Sequence, residues 1–96
     1  MELLVTYDVD TTTPDGQRRL RKVAKACEGI GHRVQKSVFE VTCDASQKLQ
    51  LEARLSDIID AHTDSVRVYP LDRGTFRNAR HLGASVTPPH HGPIII

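Results

Sequence analysis

Between Leu3 and Val9 the chain alternates through a β-branched and aromatic run, Leu3-Leu4-Val5-Thr6-Tyr7-Asp8-Val9, with no glycine or proline to interrupt it. A period of two predicts a strand with Leu3, Val5, Tyr7 and Val9 on one face and Leu4, Thr6 and Asp8 on the other. The polar run Asp10-Thr11-Thr12-Thr13 follows as a loop. Thr13-Pro14 then supplies an N-cap with proline at the first helical position, where its missing N–H is not needed. From Pro14 to Glu28 the apolar residues Leu20, Val23, Ala24 and Cys27 recur at helical spacing. Asp15 suits the positive end of the helix dipole, and Gly29 suits the C-cap. Such a helix runs about 22 Å, close to the roughly 23 Å of the strand, so the two can cover each other.

His32 to Cys43 is extended in character, but its alternation falters at Lys36-Ser37. One bent strand and two strands with a tight connection both fit. Asp44 followed three residues later by Gln47 has the spacing of a capping box. It predicts a second helix to about His62, with Leu51, Leu55, Ile58, Ile59 and His62 on one face. Ser65-Val66-Arg67-Val68-Tyr69-Pro70-Leu71 is a further strand, and Pro70 places its end at an edge or a break. The order predicts an α+β domain of ferredoxin-like βαββαβ layout, with both helices on one face of an antiparallel sheet. The other sheet face, carrying Leu4, Thr6 and Asp8, is left open. Residues 1–83 form this domain, and 84–96 add a Pro/His/Gly loop and a closing run, Pro93-Ile94-Ile95-Ile96. Burying an isoleucine side chain is worth roughly 1.5–3 kcal/mol, so that run predicts a C-terminal strand on a sheet edge, its own or that of a partner protomer; a floppy tail is the plain alternative.

The 96 residues, 39% of them hydrophobic and 26% charged, suit a single globular domain rather than a disordered chain. No apolar run approaches the roughly 20 residues that span a bilayer, and the start Met1-Glu2-Leu3-Leu4 lacks a signal peptide's basic region. A cytoplasmic protein without membrane contact is expected. Cys27 and Cys43 form no Cys-x-x-Cys pair, and two buried thiols are expected. His90-His91 has no partner at ligand spacing, while His32, His62 and His81 are scattered. No Gly-rich phosphate loop or nucleophile elbow occurs.

Charge changes the picture. The net +1 conceals a basic stretch, Arg18, Arg19, Arg21, Lys22, Lys25, Arg33 and Lys36, opposed only by Glu28. Local positive potential governs nucleic-acid affinity, so these residues are candidate phosphate contacts; a solvated helix face is the plain alternative. Arg73, Arg77 and Arg80 also recur at helix-like spacing, interrupted by Gly74 and Gly83. Tyr7 and Phe39 are expected to pack rather than to stack on bases.

Asp8 is the candidate for chemistry, at the C-terminal end of the first strand on the open face. A carboxylate there serves either as a turn residue or as a ligand. Mg²⁺ takes one or two carboxylates and completes its shell with water and substrate phosphates. One small domain offers enough only if a twin offers the rest, with two Asp8 side chains meeting across a dimer axis. Asp10 and Ser37 are the further nominees near this site.

Tyr7-Asp8-Val9, the helix segment Gly16-Gln17-Arg18-Arg19-Leu20-Arg21-Lys22-Val23, the stretch Arg33-Val34-Gln35-Lys36-Ser37-Val38-Phe39-Glu40, and Ser65-Val66-Arg67-Val68-Tyr69 resemble the CRISPR-associated protein 2 family. The resemblance implies a ferredoxin-like homodimer, a Mg²⁺-dependent endonuclease acting on single-stranded RNA or double-stranded DNA, and Asp8 as the metal-binding and catalytic residue. It implies a second role as well, a scaffold that bridges the CRISPR-associated integrase and lies along the DNA backbone during spacer acquisition. A non-catalytic DNA-binding scaffold, a ribonuclease toxin of similar fold and a small-molecule-binding regulator are the competing readings.

Overall fold

A computed structural model describes residues 1–84. Six elements follow in the order β1 (Glu2–Asp8), α1 (Pro14–Glu28), β2 (Gly31–Gln35), β3 (Val38–Thr42), α2 (Ala45–Ile58) and β4 (Ser65–Leu71). The strands form one antiparallel sheet in the order β2-β3-β1-β4. This is the ferredoxin-like arrangement. The expected C-terminal strand, Ile94 to Ile96, lies outside the described residues.

β1 is central because its odd positions carry the apolar face. Leu3 and Val5 are wholly buried, and Tyr7 nearly so, against Phe39, Val41, Val23, Cys27 and Leu55. Tyr7 and Phe39 stack with ring centroids 6.2 Å apart. The even positions Leu4 and Thr6 are only half-buried and Asp8 is exposed, as expected of the face without helices.

Local chemistry sets the element ends. The Thr13 hydroxyl accepts the Gly16 N–H at 3.1 Å with Pro14 beginning the helix, so α1 starts where the cap dictates. Asp44 and Gln47 form the complete reciprocal capping box on α2. β2 and β3 are two strands, joined at Lys36-Ser37, with a register irregularity between Arg33 and Gln35. No residue other than glycine adopts a positive φ among the described residues, so this turn is not of the primed type that matches strand twist. The extra residue, Val34, takes up the mismatch as a bulge.

α2 stops at Ile58, short of the expected His62. The Ile59 backbone is extended, and the Asp60 N–H donates to the Asp64 carboxylate at 2.9 Å instead of continuing the helix. His62 is exposed in the turn that follows. Pro70 lies on β4, an edge strand of the sheet, where a missing donor is tolerated. Residues 72–79 form turns rather than a helix carrying Arg73, Arg77 and Arg80, and the Glu2 carboxylate accepts from the Gly74 and Phe76 amides, both at 2.8 Å.

Candidate active site and basic helix face

Asp8 closes β1 on the open side of the sheet. Its Cα partner in β4 is Ser65, and the preceding rung on the same face pairs Thr6 with Arg67. The Asp8 carboxylate is exposed and makes no hydrogen bond or ion pair within the described residues. It is therefore a charge that no internal partner consumes. Ser65 is invisible as a site residue in the sequence, because only the register of a strand 57 positions away brings it opposite Asp8.

The other nominees separate. Asp10 turns into the loop, where its carboxylate accepts the Thr12 N–H at 3.0 Å and the Thr12 hydroxyl at 2.7 Å. Those two donors, the amide first, hold its carboxyl below the usual range. Ser37 sits in the β2–β3 turn beside β1, its carbonyl accepting the Tyr7 N–H at 3.1 Å. The Tyr7 hydroxyl donates to the Lys36 carbonyl at 3.3 Å, and burial pushes its pKa up. Neither cysteine is poised for chemistry: both are buried and free, and burial pushes the Cys27 thiol up to about 11.

Oxygen chemistry at Asp8 and Ser65 fits a hard cation such as Mg²⁺, which binds through few protein carboxylates. One chain brings a single carboxylate, and among the described residues no group of three or more His, Cys, Asp or Glu is placed to hold an ion.

The basic stretch divides into two sets. Arg18, Arg21, Lys22 and Lys25 are exposed on α1. Arg18 forms an exposed pair with Asp15 at 2.8 Å, a contact of little energetic weight. Arg54 of α2 joins Arg18 and Lys22 along one groove between the helices, together with Asp15 and Asp57. A cation from the second helix thus extends the row, which sequence proximity does not reveal.

Arg19 and Arg33 are committed inward. Arg19 Nε meets Asp64 Oδ2 at 2.8 Å, with the Asp64 side chain wholly buried. Arg33 lies over the Phe39 ring at 5.1 Å, donates to the Lys36 carbonyl at 3.1 Å and reaches Glu28 at 3.5 Å. Lys36 is exposed in the hairpin turn. Grouping Arg19 and Arg33 with the exposed cations follows from charge alone; their internal partners are contributed by the fold.

Comparison with known proteins places these features in context. The family described as CRISPR associated protein Cas2 matches residues 1–79. A Rhodospirillum rubrum protein named CRISPR-associated endoribonuclease Cas2 3 is 51% identical over 94 residues, covering 98% of this chain and 99% of its own. A Halalkalibacterium halodurans protein named CRISPR-associated endonuclease Cas2 is 43% identical, covering 99% of each. The crystal structure of Streptococcus pyogenes Cas2 at pH 6.5 superposes with a TM-score of 0.78 at 48% identity, covering 86% of this chain and all of that one.

Proposed function

Because this chain belongs to the CRISPR-associated protein Cas2 family, we propose that it is an endonuclease of CRISPR adaptation whose site forms when two copies meet on their open sheet faces. The observation that carries this reading is the exposed, unpartnered Asp8 carboxylate at the end of a central strand. The open face also presents half-buried Leu4 and Val38 and partly exposed Tyr69, apolar surface suited to a second copy.

In this reading Asp8 from each copy would hold Mg²⁺, which supplies charge neutralisation and a more acidic water when bound. Ser65 lies across the rung from Asp8, and Arg67 lies two rungs away on the same face, where a cation can meet the phosphodiester. Lys36, exposed in the β2–β3 turn beside β1, adds a backbone contact that reads no bases, while Arg18, Arg21, Lys22, Lys25 and Arg54 lie on the helical layer and belong to the second reading. Asp10 is engaged by the Thr12 amide and hydroxyl in its own turn, which sets it apart from the unpartnered Asp8. The relatives' names, endoribonuclease and endonuclease, support nuclease chemistry. The working location is the cytoplasm; among the described residues no helix is long and apolar enough to cross a membrane.

A scaffold role is the second reading, favoured by the exposed cations on the helical layer, on the opposite side of the sheet from Asp8. There the dimer would lie along DNA and bridge the CRISPR-associated integrase. Cleavage of single-stranded RNA and double-stranded DNA by wild type and Asp8→Asn, with Mg²⁺ and with chelator, tests the nuclease. Loss of at least a hundredfold in the variant is expected; equal Mg²⁺-dependent turnover would overturn it.

A further inference from the structure

Asp64 has the densest hydrogen bonding of any side chain described, and no nuclease role so far assigned uses it. Its side chain is wholly buried. Oδ1 accepts from the Asp10 N–H at 3.0 Å and the Thr63 hydroxyl at 3.1 Å, and Oδ2 accepts from the Asp60 N–H at 2.9 Å. Arg19 Nε reaches Oδ2 at 2.8 Å, with Nη2 at 3.5 Å from Oδ1. A buried carboxylate persists only when its lone pairs are met and its charge is balanced, and here both conditions hold.

The placement matters more than the number of bonds. Asp64 directly precedes Ser65, the strand partner of Asp8, and it grips the amide of Asp10, two residues beyond Asp8. The same loop packs closely on α1: a Cβ at Gly16 would stand 1.8 Å from the Asp10 carbonyl oxygen. The backbone that leaves Asp8 is therefore held at Asp10 by two groups, the α1 glycine against its carbonyl and the Asp64 carboxylate of the turn before β4 on its amide. Arg19 joins α1 to the clamp.

We propose that Asp64, paired with Arg19, is a positioning residue that fixes where β1 ends and so where the Asp8 carboxylate stands. Reaction rates fall steeply when a reacting group is displaced by an ångström, so loosening this clamp slows turnover without removing Asp8. The proposal rests on the nuclease reading for its effect on turnover, and on the geometry alone for its effect on the strand end.

The test uses the full chain as wild type, Asp64→Asn, Arg19→Lys and Asp44→Ala. The last removes the α2 cap beside the far end of β3 and serves as a stability control. Arg19→Lys keeps the charge but loses the guanidinium fork, and it is the variant to read if Asp64→Asn fails to fold. Amide exchange at Asp10 and Ser65, taken relative to Val5 and Phe39, is expected to quicken tenfold or more in the Asp64 and Arg19 variants and to stay constant in Asp44→Ala. In the same variants kcat is expected to fall at least tenfold with KM changed less than twofold. An unchanged exchange ratio in Arg19→Lys, or a changed ratio with full kcat, would overturn the proposal. Absent cleavage in the wild-type chain would sink the nuclease reading alone, and the exchange ratio would still decide whether Asp64 holds the strand end.

Discussion

Asp8 and Ser65 face each other across the last rung of the β1–β4 ladder, on the side of the sheet that no helix covers. The central strand therefore ends in an exposed carboxylate, while the next residues are fastened to the Asp64 turn by the Asp10 amide. A carboxylate placed this way has its backbone fastened two residues on and its charge free of internal partners.

Two glycines, one inside α1 and one at its C-cap, should respond oppositely to alanine. At Gly16 the added Cβ meets the Asp10 carbonyl oxygen at 1.8 Å, backbone that cannot step aside without moving the loop. Overpacking of this kind costs about 1–3 kcal/mol, and the upper end is expected here. At Gly29 the nearest atom is 3.6 Å away and the backbone is right-handed helical, so alanine should be neutral or stabilising by up to about 1 kcal/mol. Urea unfolding of both variants measures this.

Acid should weaken the fold through three carboxyls held below their usual range. Glu2 is lowered by the Phe76 and Gly74 amides, and Asp10 by the Thr12 amide and hydroxyl. Burial pushes Asp64 up, but Arg19 and the Asp60 and Asp10 amides outweigh it and hold it well down. Unfolded, such groups titrate near ~4, above their folded values, so their stabilisation is complete above about pH 5, begins to fall near ~4 and is lost as pH drops through the lower folded values. Glu40, raised by burial, works the other way, but three groups oppose one. The melting temperature should stay nearly level from about pH 7 to 5 and drop below ~4, with a shallower drop in Asp64→Asn.

Salt should reveal which cations touch phosphate. If Arg18, Lys22 and Arg54 line the backbone, replacing each by alanine should lower the slope of log affinity against log salt by about 0.9 per contact on duplex DNA. Arg33→Ala should leave the slope unchanged and lower stability instead, because its guanidinium is spent on Phe39, Lys36 and Glu28. Equal slopes in all four variants would remove the helix groove from the binding surface.

Much of this architecture is legible in the chain. Pro14 and Gly29 bracket α1, the Asp44–Gln47 spacing announces α2, and alternation alone puts Asp8 on the uncovered face. What is not legible depends on contacts distant in sequence. Ile58, Ile59 and His62 keep a helical period, yet the helix ends because Asp64 takes the Asp60 amide. The hairpin is undecided by pattern because the bulge at Val34 shifts the alternation and Lys36-Ser37 contains no glycine. Arg19 reads as one more surface cation until Asp64, 45 residues on, is folded against it.

Divalent-ion binding at Asp8 is the most direct measurement. Titrating the wild-type chain with Mn²⁺ while following the Asp8 and Ser65 amide signals should give saturable broadening, and Asp8→Asn should abolish it. The carboxylate makes no internal bond, so the variant's stability should stay within about 0.5 kcal/mol of wild type. Saturable broadening at these amides that survives in a folded Asp8→Asn chain would contradict the account.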